Sequence, residues 1–375
     1  MSGTPPRVLF VSALDASQKF GSFEEEITAM MAACAEKGGL LLPVFMPPQD
    51  SGAAARFTAL WPTSIAVDLW SFDLARLRKL RRLILDHHIN IVHWNFYDVL
   101  NPYYVSLRAV CPWVRQCFTD HFSRTPPVVR SYPPLKRRAK QVLLSGYSRT
   151  LGVSEFVVSC LREEGIWPRL GRVWHFVNPE RFAPDAACRQ EFRKQHRVAD
   201  KIVILYVGQL IPQKGIETLL DAMRSLPEHA VVWILGEGGS RTNLESRVVR
   251  EGFPHRVTFW GIQDRTEPFF QAADIAVCPS IWHEAAGLVN LEAAASGLPV
   301  VASDIGGIPE FVADRVTGLL HRPGDTAHLA SRLNTLIADE ALRRRFGARG
   351  RERAMNEFSP TVAIPRNMAI YDDLL

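Results

Sequence analysis

The chain has little of what marks metal, disulfide or membrane proteins. Its six cysteines, Cys34, Cys111, Cys117, Cys160, Cys188 and Cys278, are scattered over 375 residues. No Cys-x2-Cys occurs and no histidine pair stands at metal-ligand spacing, so neither a zinc site nor a disulfide scaffold is indicated, and no metal ligand is assigned. No apolar run approaches the roughly 18 residues of a membrane span. The polar start Met-Ser-Gly-Thr-Pro-Pro-Arg leads straight into a short apolar run, so the chain is expected to be cytoplasmic, neither secreted nor membrane-spanning. Gly-x4-Gly-Lys-Ser/Thr is missing, which removes a P-loop. Charge of one sign is also scarce. Lys and Arg number 44 against 39 Asp and Glu, a formal +5, too mild over this length to make nucleic acid the default partner.

What is present is a globular composition, 47% hydrophobic and 22% charged, in a chain long enough for two domains. Disorder, collagen and coiled coil are excluded. The basic excess sits in the first half, where 22 basic residues face 16 acidic ones up to Asp185, against 22 and 23 beyond it. Two runs carry much of it: Arg76, Arg78, Lys79, Arg81, Arg82 and Lys136, Arg137, Arg138, Lys140. Such runs are solvated helix faces, or they attach a protein to the cytoplasmic face of an anionic membrane, each charge being worth about 1 kcal/mol there.

Apolar runs and helical patterns alternate along the chain. Val8 to Leu14 and Leu40 to Phe45 read as strands around a helical pattern at Ile27, Met30, Met31 and Cys34, a βαβ unit. A basic helix at Leu74 to Asp86, strands at Ile89 to His93 and Trp113 to Phe118, a helix at Leu135 to Leu144 and a strand at Arg149 to Val153 follow. The polar stretch Asn178 to Asp200 reads as a linker. A second series then has strands at Lys201 to Val207, Ala230 to Leu235, Arg256 to Trp260, Asp274 to Cys278 and Pro299 to Ser303. Its helices are expected at Ile216 to Leu226, Thr242 to Glu251, Glu267 to Ala272 and Gly287 to Ser296. Near-continuous apolar strands separated by amphipathic helices predict parallel α/β sheets covered on both faces. Two series predict two Rossmann-like domains facing across a cleft, with ligands at the carboxyl ends of the strands.

The most informative segment is 280–310. Glu284 lies after the strand ending at Cys278, and Glu292 lies eight positions later inside the next helix. Between them the N–H groups of Gly287, Leu288 and Val289 are donors at a helix start, which suits a diphosphate. Gly236-Glu237-Gly238 is no dinucleotide fingerprint, because Arg241 stands where the third glycine belongs. Trp94, Asn95, Phe96, Tyr97, Tyr103 and Tyr104 form an aromatic cluster after the strand ending at His93. It is either core or an exposed stacking platform.

With these motifs in order, the sequence resembles the retaining glycosyltransferases of family 4, of GT-B fold, within the superfamily of glycogen synthases and mannosyltransferases. The matches are Val207-Gly208-Gln209-Leu210 with Lys214-Gly215, Leu235-Gly236-Glu237-Gly238, Cys278-Pro279-Ser280, the Glu-x7-Glu pair, Gly297-Leu298-Pro299, Gly306-Gly307-Ile308-Pro309-Glu310 and Thr317-Gly318-Leu319-Leu320. The resemblance implies metal-independent transfer of a glycosyl group from a nucleotide-diphosphate sugar to an acceptor hydroxyl, with the anomeric configuration kept. The acceptor would be a glycan, a lipid-linked sugar or a small molecule. No cofactor is implied. The donor is a substrate, and a UDP-sugar is expected.

By the same resemblance Glu284 contacts the donor sugar, Glu292 the ribose hydroxyls, Lys214 the diphosphate and residues near Ile262 the base. Gly21 lets the backbone approach the phosphates, and His121 stands near the reacting centre. The implied division is an acceptor domain over residues 1–180, with 358–375 packing back on it, and a donor domain over 181–357. The chain departs from the family pattern at Gln209, where an arginine is usual, at Ala285-Ala286-Gly287 in place of Gly-Phe-Gly, and at Phe20-Gly21-Ser22 in place of a Gly-Gly pair. A non-catalytic nucleotide-sugar binder and a same-fold epimerase or sucrose-synthase-like enzyme are the alternatives.

Overall fold

The computed structural model describes residues 4–13, 21–48, 61 and 63–375, so the expected positions of Leu14 and Phe20 lie outside it. The chain divides into two compact units. Unit one comprises Met1–Phe122, Pro126–His175 and Pro360–Leu375, and unit two comprises Ser123–Thr125 and Phe176–Ser359.

Unit one is built on strands β1 (Arg7–Ser12), β2 (Leu40–Phe45), β3 (Ile65–Ala66), β4 (Ile91–Asn95), β5 (Arg115–Asp120), β6 (Arg149–Gly152) and β7 (Leu170–Arg172). They form one parallel sheet in the order β3-β2-β1-β4-β5-β6-β7. Side chains alternate across it. Val8 and Phe10 enter a core with Ile27, Met30 and Cys34, while Leu9 and Val11 enter the opposite core with Val92, Trp94 and Tyr104. Its helices are α1 (Ser22–Glu36), α2 (Leu74–Asp86), α3 (Pro102–Val110), α4 (Pro134–Leu144) and α5 (Glu155–Glu164). Local chemistry starts and stops them. Asp73 caps α2 by accepting from the Ala75 N–H at 2.6 Å, and α5 runs from the Ser154 cap to Gly165 at φ 63°, the left-handed residue that ends helices.

Unit two repeats the plan. The chain runs α6 (Ala186–Gln195), β8 (Ile202–Val207), α7 (Ile216–Ala222), β9 (Ala230–Leu235), α8 (Arg241–Arg250), β10 (Val257–Gly261), α9 (Glu267–Ala272) and β11 (Ile275–Cys278). It continues through α10 (Val289–Ala295), β12 (Val300–Ser303), α11 (Ile308–Phe311), β13 (Gly318–His321), α12 (Thr326–Ala338) and α13 (Glu340–Glu357). The sheet order is β10-β9-β8-β11-β12-β13. The order therefore reverses between β1 and β4 in unit one and between β8 and β11 in unit two, the switch points at which such sheets open a crevice. A last helix, α14 (Pro360–Asp372), returns to unit one, where Met368 and Tyr371 pack with Val8, Ile27 and Cys34.

One expectation is corrected here. The stretch Asn178 to Asp200 is not all irregular linker, because it contains α6. That helix is held through arginines instead of an apolar stripe. Arg193 Nη1 lies 2.9 Å and Arg189 Nη2 lies 2.5 Å from the two carboxylate oxygens of Asp274, which also accepts from the Val203 N–H at 2.8 Å. A helix anchored by charged side chains leaves no apolar periodicity to read.

Candidate functional site

In unit two the loops at the carboxyl ends of β8 and β9 clasp each other backbone to backbone. The Gly208 N–H donates to Leu235 O at 3.0 Å and the Leu210 N–H to Glu237 O at 2.8 Å. Gly236 sits at φ 129°, and a Cβ there would lie 1.9 Å from Gly208 O, so glycine is required by both conformation and space. Gln209 is exposed on this clasp, and its carbonyl accepts from the Tyr206 hydroxyl at 2.8 Å. Ile262, just after β10, is 58% exposed.

Lys214 ends a single 3-10 turn after β8, closed by Gly215 at φ 68°. That turn is docked on the loop after β11, where the Ile281 N–H donates to Gln213 O at 2.9 Å. The docking brings two residues of distant sequence together across the switch point. Lys214 Nζ lies 2.7 Å from Glu284 Oε1, and the Ser280 hydroxyl donates to the same oxygen at 2.7 Å. The Glu284 side chain is 7% exposed and that of Lys214 is 22% exposed. Gly306 backs the glutamate. It has φ 60°, and a Cβ there would stand 2.5 Å from Glu284 O and 2.6 Å from Glu284 N.

The helix after Glu284 begins at Val289 instead of Gly287. Gly287 has φ 83°, outside helical space, and its carbonyl accepts from both the N–H and the side-chain amide of Asn290 at 3.0 Å. The residues Gly287, Leu288 and Val289 are half-buried, and their N–H groups have no acceptor among the described residues. Glu292 lies on α10 and is also half-buried.

In unit one, His121 directly follows β5. Its Nε2 lies 3.0 Å from Asn95 Oδ1. The ring stacks on Phe96 at 4.0 Å and 17° and meets the edge of Phe23 at 5.5 Å. Burial, with His175 and His93 nearby, pushes the imidazole well below its ordinary range, so it is neutral at physiological pH. Next to it, His175 Nδ1 pairs with Glu26 Oε2 at 2.7 Å, both side chains being at least nine-tenths buried. His93 is held between the Tyr371 hydroxyl at 2.8 Å and Thr119 Oγ1 at 2.6 Å, and burial pulls it down to about 3. His93 and His121 line a small cavity of about 30 Å³ beside Phe10, Glu26 and Asn95.

Gly21 stands immediately before α1. Its N–H donates to Glu24 Oε2 at 2.8 Å, its φ is −131°, and a Cβ would meet that same oxygen at 3.3 Å. Unlike at Gly236 and Gly306, nothing among the described residues requires glycine there. Of the two readings of the aromatic cluster, core holds and the platform does not. Trp94, Tyr97, Tyr103 and Tyr104 are at most 1% exposed, with Trp94 Nε1–H donating to Gln116 and Tyr103 OH to Ser71 O. They are core, and of that run only Phe96, stacked on His121, stays half-open. Sequence reading passed over Ser280 and Asn95 as partners and the Glu26–His175 pair, whose members are 149 positions apart. No periodicity signals such pairs.

Residues 189–353 match the family model described as glycosyl transferases group 1. Over 161 residues the chain is 38% identical to the lipopolysaccharide core biosynthesis glycosyltransferase LpsE of Rhizobium meliloti, the match covering 43% of this chain and 47% of LpsE. The chain thus spans about half the length of the curated relatives it matches. Among solved structures, Anabaena HepE in complex with UDP and glucose superposes with a TM-score of 0.81 and 20% identity, over 99% of this chain and 100% of that one. A glycosyltransferase from Rickettsia africae gives a TM-score of 0.84 at 18% identity, over 99% of each chain. The fold is therefore GT-B, with parallel sheets of seven and six strands.

Proposed function

We propose that the protein is a hexosyltransferase that moves a glycosyl group from a nucleotide-diphosphate sugar to an acceptor hydroxyl, without a metal and with retention at the anomeric carbon. One observation carries this reading. A buried carboxylate and a partly open ammonium, Glu284 and Lys214, meet at 2.7 Å at the switch point of unit two, inside the segment that matches group 1 glycosyl transferases. An ammonium is the point charge that a diphosphate requires, and a carboxylate at the same place accepts from sugar hydroxyls.

In this reading the pair is the resting state of the site. Without donor, Glu284 neutralises Lys214. A donor diphosphate takes over the ammonium, helped by the N–H groups of Gly287, Leu288 and Val289, and frees Glu284 for the sugar. Glu292 reaches the ribose, and Ile262 with the Gly208–Gly236 clasp borders the base. During transfer negative charge grows on the departing diphosphate, which Lys214 and the amides stabilise. That oxygen can then take the acceptor proton without a dedicated protein base. Uridine is the proposed base. UDP is what the like-folded HepE structure holds.

Thermal-shift titration with UDP, GDP and ADP, each with and without its sugar, tests the donor. A ligand at 100 times its Kd adds about 2.7 kcal/mol of stability, so one nucleotide is expected to raise Tm by several degrees. No rise with any of them sinks the reading. Binding without product, in the presence of candidate acceptors, identifies a nucleotide-sugar binder instead.

A membrane-facing role for unit one belongs to the same proposal. Helix α4 buries only Leu144 and exposes Leu135 at 85%, Val142 at 60% and Leu143 at 44% among Lys136, Arg137, Arg138 and Lys140. Apolar side chains among cations on one exposed helix suit the surface of an anionic bilayer. The protein is expected to sediment with phosphatidylglycerol vesicles at low salt. Combined Lys136→Ala, Arg138→Ala and Lys140→Ala changes should abolish this. Equal recovery with phosphatidylcholine vesicles would refute an electrostatic contact.

A further inference from the structure

We propose that Asn95 is a positioning residue for His121: it holds the imidazole as the Nε2–H tautomer and leaves Nδ1 a bare lone pair. The inference rests on the reading of His121 as a group beside the reacting sugar, and it specifies what that group can bind. A lone pair accepts from a hydroxyl. It repels phosphate and carboxylate oxygens, which have no proton to give.

The geometry fixes the proton. Asn95 ends β4 and is 1% exposed. Its Nδ2 donates to His93 O at 3.2 Å, so Oδ1, which can only accept, is the atom turned toward His121 at 3.0 Å. The proton of a neutral imidazole must then sit on Nε2, and Nδ1 carries the lone pair. Among the described residues nothing donates to Nδ1. The ring cannot turn freely, since Phe96 covers one face at 4.0 Å and Phe23 abuts it at 5.5 Å. Phe96 makes that contact from φ 62°, a left-handed conformation uncommon for a bulky side chain and one that costs free energy. The backbone next to Asn95 is thus strained in the conformation that clamps this ring.

The surroundings keep the ring neutral. The titratable groups around it are His93 on β4, Asp120 on β5, Glu26 on α1, His175 after β7 and Tyr371 on α14. Glu26 is engaged by His175 at 2.7 Å, and Asp120 Oδ1 accepts from the Phe122 N–H at 2.9 Å. Asn95 faces the ring with an uncharged amide. Asn95→Asp preserves shape and acceptor but sets a negative charge about 3 Å from the imidazole, which favours imidazolium. Protonation turns Nδ1 from acceptor into donor.

Nitrogen-15 NMR of the whole protein, with His121 assigned by its loss in His121→Gln, reads the tautomer in the unmodified chain. Nε2 is expected protonated and Nδ1 bare at pH 7. A proton on Nδ1 overturns the proposal, whether or not any variant folds. In Asn95→Asp the His121 titration should rise by about 1 to 3 pH units. The neutral hydrogen-bond acceptor at Nδ1 is lost as pH falls through the imidazole pKa, so the acid limb of kcat/KM should move up by the same amount and activity should recover at higher pH. Asn95→Ala adds no charge and should lower kcat/KM without moving that limb. A folded Asn95→Asp whose His121 titration is unmoved sinks the proposal. If the titration moves and the acid limb of transfer does not, Asn95 positions His121 as proposed, and the placement of His121 beside the reacting sugar is what fails.

Discussion

Replacing Glu284 by Gln is expected to cut glycosyl transfer by roughly 100- to 1000-fold, the range for loss of one organised polar group at a reacting centre, while UDP binds as well as before or better. The two effects separate because of the pair itself. Lys214 is engaged by Glu284 at 2.7 Å, so under the proposed function a diphosphate must displace a carboxylate from the ammonium. Gln keeps the shape and can still accept from the Ser280 hydroxyl, now 2.7 Å from Glu284 Oε1. It lacks the charge that competes. Calorimetric titration of UDP beside initial rates with a UDP-sugar makes the test. Transfer within a few-fold of the parent would remove Glu284 from the chemistry. Weaker UDP binding would show that the carboxylate supports the nucleotide site instead of competing with it.

Gly306→Ala should destabilise the protein by roughly 2–5 kcal/mol through left-handed backbone strain and overpacking, and transfer should fall in whatever fraction still folds. The added methyl would stand 2.5 Å and 2.6 Å from the backbone oxygen and nitrogen of Glu284 and 2.8 Å from the carbonyl carbon of His283. Backbone atoms cannot swing away as a side-chain tip can, so relief requires moving the loop that carries Glu284 and loosening its hold on Lys214. Gly21→Ala is the matched control. With an extended φ of −131° and, among the described residues, one contact at 3.3 Å to the end of the Glu24 side chain, it should unfold within about 0.5 kcal/mol of the parent. Denaturant titration of both variants checks the contrast. Equal midpoints would mean that the Gly306 turn relaxes freely and does not brace the site.

The strands were legible in the sequence because continuous apolar runs survive burial on both faces. Leu40 to Phe45 and Ala230 to Leu235 are strands over those same residues. The polar α6 was not legible, since Arg189 and Arg193 hold it instead of a stripe of leucines. The aromatic run after His93 left two readings open for a related reason. Tyr and Trp serve core and ligand surface alike, and Trp94 and Tyr103 went to the core once Gln116 and Ser71 satisfied their polar atoms. The short elements β3 and β7, of two and three residues, are too brief for any pattern.

For the candidate site, Lys214, Glu284 and the Gly306-Gly307 turn stand in motifs whose resemblance to the family pattern is read residue by residue along the chain. The sequence could not say that Lys214 would rest on Glu284, 70 positions away, or that the Asn95 side-chain oxygen would face His121 across 26. Those meetings follow from strand order: β8 lies beside β11 and β4 beside β5, so the loops at their carboxyl ends are neighbours. Periodicity along a chain records which face a residue shows. Which residue it faces depends on how the sheet is wound, and that is set by the packing of the whole unit.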